Sequence, residues 1–253
     1  MEACERHLAQ IPPTPTFSYS DTDRFLNDMA AAVPDQKVQA WPPSNGLSTI
    51  NVPRKDAILT VYASTCINAP APLVFDKILH IANYGCWNRF CPKVVVHAQE
   101  LANSEEQLAP DWLHIGTNFT LYAIMNAAEP DSPTPTQLKV TDISTPESPS
   151  TYVPQDVLDS DGSFFADLQK VYRVSWKCEG GFVSRGLRTE RFHEIIMSGE
   201  DRCVVRTWEC QGGILARTVK WMYRKTLMEK FQMWVDDLKD HCEHRGKEPQ
   251  QVQ

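Results

Sequence analysis

Long apolar runs are missing from this chain. No stretch approaches the eighteen or so apolar residues that a membrane helix needs. The opening residues, MEACERHLAQIPP, lack an apolar core, which argues against a secretory signal. Basic tracts are absent too. With 25 Lys and Arg against 32 Asp and Glu the formal charge is −7, so a nucleic-acid surface is not expected. The eight cysteines are scattered without paired spacing and read as reduced thiols of a cytoplasmic protein. There is no glycine-rich phosphate loop, no GxSxG elbow and no HExxH motif, which excludes the common nucleotide, hydrolase and zinc-protease machinery. Of the seven histidines, only His241 and His244 have ligand-like spacing, and a solvated helix end accounts for them more simply. No metal and no cofactor is expected, and any partner should be a hydrophobic small molecule. Oligomeric state is not readable.

A hydrophobic content of 42% over 253 residues can bury one large core. The last third of the chain carries the clearest element. From Gly212 to Glu243, Leu215, Val219, Met222, Tyr223, Leu227, Phe231, Trp234, Leu238 and Cys242 recur at spacings of three or four, as one face of a long amphipathic helix. Before it, period-two patterning predicts strands at about 57–68, 93–101, 113–125, 136–144, 169–178, 186–197 and 202–210. Two short helices, 73–81 and 84–90, fall between the first two strands. Residues 1–53 hold seven of the eighteen prolines and read as an arm with one helix, striped by Phe25, Leu26, Met29 and Val33. Residues 145–167 are polar and proline-containing, too long for an ordinary connection, and read as a lid-like insertion. A sheet wrapped on one long helix leaves room for a ligand between them, and a disordered tail is expected at 246–253.

Polar side chains pointing into that space are the candidates for chemistry. In the strand around Arg188–Glu194, alternation puts Arg188, Glu190 and Phe192 on one face and Thr189, Arg191 and His193 on the other. Phe192 is taken as the core marker, which turns Glu190 and Arg188 inward. A carboxylate in an apolar cavity has its pKa raised and can act as general acid or base. Arg188 or Tyr172 would polarise a carbonyl. The alternatives are an Arg188–Glu190 ion pair near the cavity mouth, or a register slipped so that both face water. Tyr122, His114 and Asp142 are further strand-borne ligand contacts, with Trp176, Met222 and Phe231 as apolar wall.

The run VYASTCINAPAPLVF, 61–75, continuing to Tyr84, Trp87 and Asn88, resembles the opening of START-like (SRPBCC) proteins. Ile67, Ala69, Pro70, Val74 and Phe75 fit that opening, Trp176 fits a mid-chain strand position, and Leu238, Lys239 and Glu243 fit the close. The resemblance spans about 57–243 and places a START-like domain at 54–245. It implies an α+β helix-grip fold: about seven antiparallel strands curled around the C-terminal helix, enclosing a hydrophobic tunnel. It leaves two functions open. One is a cofactor-independent cyclase or isomerase of the polyketide-cyclase type, acting on a polyketide- or terpenoid-like intermediate. The other is a carrier for a lipid, quinone or other apolar metabolite.

Overall fold

The computed structural model describes residues 40–98, 109, 111–180 and 185–244. The helix expected around Phe25 and the tail expected at 246–253 lie outside the described residues. Seven strands make one antiparallel sheet: β1 (Leu59–Ile67), β2 (Lys93–Ala98), β3 (Asn118–Ala123), β4 (Thr134–Ser144), β5 (Val171–Cys178), β6 (Arg188–Gly199) and β7 (Arg202–Gly212). Their order is β1-β7-β6-β5-β4-β3-β2, so the first strand returns to lie beside the last. The α-helices among the described residues are α1 (Ala71–Leu79), α2 (Tyr84–Trp87), α3 (Gln155–Ser160) and α4 (Ile214–His244). The curved sheet grips α4, which is the helix-grip fold.

Local sequence explains the junctions. β1 alternates buried and half-buried positions along its length, as period-two patterning requires. Pro70 precedes α1 and Pro72 sits in its first turn, where a missing N–H costs nothing. β7 passes into α4 through Gly212-Gly213. Gly213 has φ +90°, and a Cβ there would stand 2.6 Å from the Gly186 carbonyl oxygen, so neither the conformation nor the space admits another residue.

Two cores flank the sheet. Between sheet and helix lies the larger one, with Val61, Ile67, Phe119, Val174, Phe231 and Leu238 among its members. The second lies on the outer face. There Leu47 and Val52 from one segment and Val153, Leu158 and Phe164 from another pack on Phe192, Trp208 and Cys210. Trp41 joins them, with ring centroids 5.9 Å from Trp208 and 5.8 Å from Tyr62. The stretches 41–53 and 145–168 therefore act as a cover for the outer face. Strand β6 is consequently buried on both sides from Thr189 to Ile196.

This double burial overturns one sequence expectation. Phe192 stacks on Trp208 at 5.2 Å and meets Phe164 edge-on at 5.2 Å, both in the outer core. Glu190 turns outward with it. The side of β6 facing α4 is the one carrying Thr189, Arg191 and His193, with Arg191 lying over the Phe231 ring at 3.9 Å. Phe192 does mark a core, but there are two, and period two cannot tell which core a face looks into.

Candidate functional site

The polar groups on the helix side come from β6 and β7, and the ladder sets them opposite each other. Arg191 pairs in register with Glu209, and Thr189 with Gln211. Arg191 is 5% exposed and lies between aromatic rings, its guanidinium 3.9 Å from the Phe231 centroid and 5.1 Å from that of Trp234. Its Nε donates to Thr207 Oγ1 at 3.1 Å. Its Nη2 is buried and has no hydrogen-bond partner among the described residues. A guanidinium nitrogen held away from water without an acceptor is costly, and native proteins rarely tolerate it without a reason.

Glu209 accepts from Gln211 Nε2 at 2.6 Å, while Gln211 Oε1 is itself buried and unpartnered. Burial pushes the Glu209 carboxyl above the usual range, against the pull of Arg191 and the Gln211 bond. Burial pulls Arg191 down, and Glu209 is the largest opposing influence. His193, a residue further along the same face, is sandwiched between Trp176 and Trp234 at 4.4 and 4.6 Å. Both of its ring nitrogens are unpartnered among the described residues. Burial first, and Arg191 second, hold it well below the ordinary histidine pKa, so it is a neutral ring. Tyr84, whose hydroxyl donates to the Ile78 carbonyl at 2.7 Å, and Cys91, pushed up to about 12 by burial, share the electrostatic neighbourhood of Arg191.

The sequence-predicted residues are distributed differently. Glu190 is fully buried in the outer cover, accepting from Tyr152 Oη at 2.5 Å, the Asn51 N–H at 2.7 Å and Thr141 Oγ1 at 3.3 Å. Its carboxyl is raised by burial, as the sequence argument required, but among satisfied structural partners and away from α4. Arg188 is half-exposed and pairs with Asp56 at 3.4 Å, so no Arg188–Glu190 ion pair forms. Tyr172 packs on Phe75 at 5.3 Å within the helix-side core, and its hydroxyl donates outward to Glu147 at 3.3 Å. Asp142 is buried on the outer face opposite Ser175. The Tyr122 ring lies under Lys93 Nζ at 4.8 Å. His114 sits in the loop before β3, with Nε2 buried and unpartnered. Met222 is 52% exposed, because the buried stripe of α4 runs through Ala216, Phe231, Trp234 and Leu238. Of the predicted contacts, Trp176 and Phe231 are the two that touch the polar cluster, through His193 and Arg191. Arg191, His193, Glu209 and Gln211 were missed. The signal for the first two was the opposite phase of the same β6 alternation.

Among the described residues no group of three or more His, Cys, Asp or Glu side chains is arranged to hold a metal ion. No family model matches the chain. A protein of Penicillium oxalicum, described as oxopyrrolidines biosynthesis cluster protein O, is 28% identical over 207 residues, covering 78% of this chain and 93% of that one. Among solved structures, a hypothetical protein of Helicobacter pylori is similar with a TM-score of 0.50 at 12% identity, covering 83% of this chain and 99% of that one. A START superfamily protein of Mycobacterium smegmatis gives a TM-score of 0.47 at 11% identity, covering 74% and 98%.

Proposed function

The fold is START-like, and on it we propose a cofactor-independent enzyme of the cyclase or isomerase type, working on an apolar small molecule that carries an enolisable carbonyl. The observation that carries this reading is Arg191: a cation walled by aromatic rings, with one nitrogen lacking an acceptor, set across the ladder from a carboxyl whose pKa burial raises. A carbonyl or enolate oxygen between sheet and α4 would supply the missing acceptor. Glu209, as carboxylate, would take the proton from the carbon beside that carbonyl, and the electron pair would move into the enolate held by Arg191 Nη2. Returning the proton at another carbon gives an isomer. Attack of the enolate carbon on a second carbonyl gives a ring, with the proton ending on the new alkoxide. Several polar groups converge here, Arg191, His193 and Gln211 buried and Glu209 half-buried, where a passive carrier would need a single anchor. The Penicillium oxalicum relative, named for a biosynthesis cluster, is consistent with a place in secondary metabolism.

The test needs no knowledge of the natural substrate. Proton abstraction can be read as hydrogen–deuterium exchange at the activated carbon of 2-tetralone in D2O. The wild type should accelerate exchange. Glu209→Gln should lose roughly 10²–10⁴-fold of that acceleration, and Arg191→Met about 10²–10³-fold, while folded Glu190→Gln retains it. Exchange that Glu209→Gln leaves intact removes Glu209 as the base. Saturable 2-tetralone binding without any acceleration leaves a carrier in place of an enzyme.

A further inference from the structure

The first half of α4 is a surface anomaly. Trp221 is 85% exposed, Ile214 78% and Met222 52%, and Tyr223 is exposed beside them. Large apolar side chains this open to water, next to one another on a single helix, mark a surface that something covers. Charge is partitioned along the same helix. Residues 214–228 carry Arg217, Lys220, Arg224 and Lys225 and no acidic residue. Residues 229–244 carry Glu229, Asp236, Asp237, Asp240 and Glu243 against Lys230 and Lys239, in a chain whose net charge is −7. At 3.6 residues per turn, Ile214, Thr218, Trp221 and Lys225 project within about 60° of one another, on the side opposite the buried Ala216 and Trp234.

We propose that this half-helix docks the protein on an anionic membrane surface. Ile214, Trp221 and Met222 would sit at the boundary between headgroups and acyl chains, where the amphipathic ring of tryptophan is favoured. Arg217, Lys220, Arg224 and Lys225 would meet the anionic headgroups. A fluid interface suits the pattern better than a groove on an acidic protein does. Trp221, Met222 and Tyr223 are consecutive and fan over about 200° of the helix circumference, whereas a groove takes one stripe. No helix among the described residues is long and apolar enough to cross a membrane, and the proposed attachment is through the half-helix surface alone. Leu227, Met228 and Phe231, one to two turns on, belong to or pack on the helix-side core, so the docked surface adjoins the interior directly. The argument stands on exposure and charge alone and is independent of the chemistry assigned to Arg191 and Glu209.

Co-sedimentation of the full chain with phosphatidylcholine vesicles, and with vesicles containing about a third phosphatidylserine, tests it. Binding should be at least about 10-fold stronger on the anionic vesicles and should fade as salt is raised. Trp221→Ala with Met222→Ser should lower it about 10-fold, and Lys220→Glu with Arg224→Glu should abolish it, with circular dichroism unchanged because all four side chains are exposed. Equal absence from both vesicle types overturns the proposal, as does binding that neither pair of substitutions alters. A sedimentation-velocity dimer that Trp221→Ala with Met222→Ser dissociates, without vesicle binding, would assign the surface to a second copy of the chain instead.

Discussion

Strand β6 delivers charge to both faces of the sheet, and the two faces treat it differently. On the outer face, Glu194 receives two bonds from Arg173, at 2.7 and 3.0 Å, and one from the Phe165 N–H at 3.0 Å. Glu190, next along that face, receives Tyr152, Asn51 and Thr141. On the helix face, Arg191 Nη2, Gln211 Oε1 and both nitrogens of His193 receive nothing among the described residues. Burial is equally deep on either side, so depth does not distinguish a structural charge from a functional one. Satisfaction does. A buried ion with all its partners holds the loop that supplies them. On the proposed function, a buried ion missing one, as Arg191 is, takes that partner from outside the chain.

The contrast breaks most readily at the Arg173–Glu194 pair. Arg173→Met leaves Glu194 buried with one backbone donor and should cost about 3–5 kcal/mol in urea denaturation. Arg191→Met deletes a cation whose pairing is already incomplete and should cost less than about 1 kcal/mol. Equal losses for the two would erase the distinction between the faces. Next in size is Tyr152→Phe. It removes one donor from Glu190 while Asn51 and Thr141 remain, and should cost about 2 kcal/mol. A loss below measurement would mean that the outer cover is not held by that bond.

The smallest effect is a pH dependence. His193 has a folded-state pKa well below 6.5, so as pH falls under 6.5 the unfolded chain takes up a proton that the folded chain refuses. Stability from this group therefore falls with falling pH, by at most about 1.4 kcal/mol per pH unit. Glu190 and Glu209, raised by burial, act in the opposite sense above pH 4.5, so the quantity to measure is wild type minus His193→Phe at each pH. A difference that stays flat from pH 7 to 5.5 would mean that His193 takes up its proton in the folded protein as readily as in the unfolded chain.

The order of the seven strands, the two short helices and the long helix was legible, because glycine and proline punctuate the strands and the last helix repeats its apolar residues clearly, whereas α3 inside the 145–167 insertion was not. β6 was expected at 186–197 and runs from Arg188 to Gly199, and the long helix was expected at 212–243 and runs from Ile214 to His244. The candidate site was half legible. Period two groups Arg191 with His193 and Glu190 with Phe192, but it does not say which group looks at α4. That choice depends on a second core whose apolar contributors Leu47, Val52, Val153, Leu158 and Phe164 come from proline-containing stretches in which the six-residue α3 is too short to show a period. Met222 failed for a related reason. Steps of three and four from Leu215 through Val219 reach it, but the sheet covers α4 from about Leu227 onward, and the side chain is left in water.

The glycine pair before α4 makes that helix a lever pivoted at one end. Its 31 residues span about 46 Å, so a turn of only about 10° at Gly213 would swing the far end by about 8 Å. On the proposed function, the spacing between the sheet and α4 would then be set at that pivot. Gly186, the surface on which that pivot bears, sits in the β5–β6 turn. Reshaping that turn should then change which molecules the proposed site takes, with Arg191 and Glu209 unaltered.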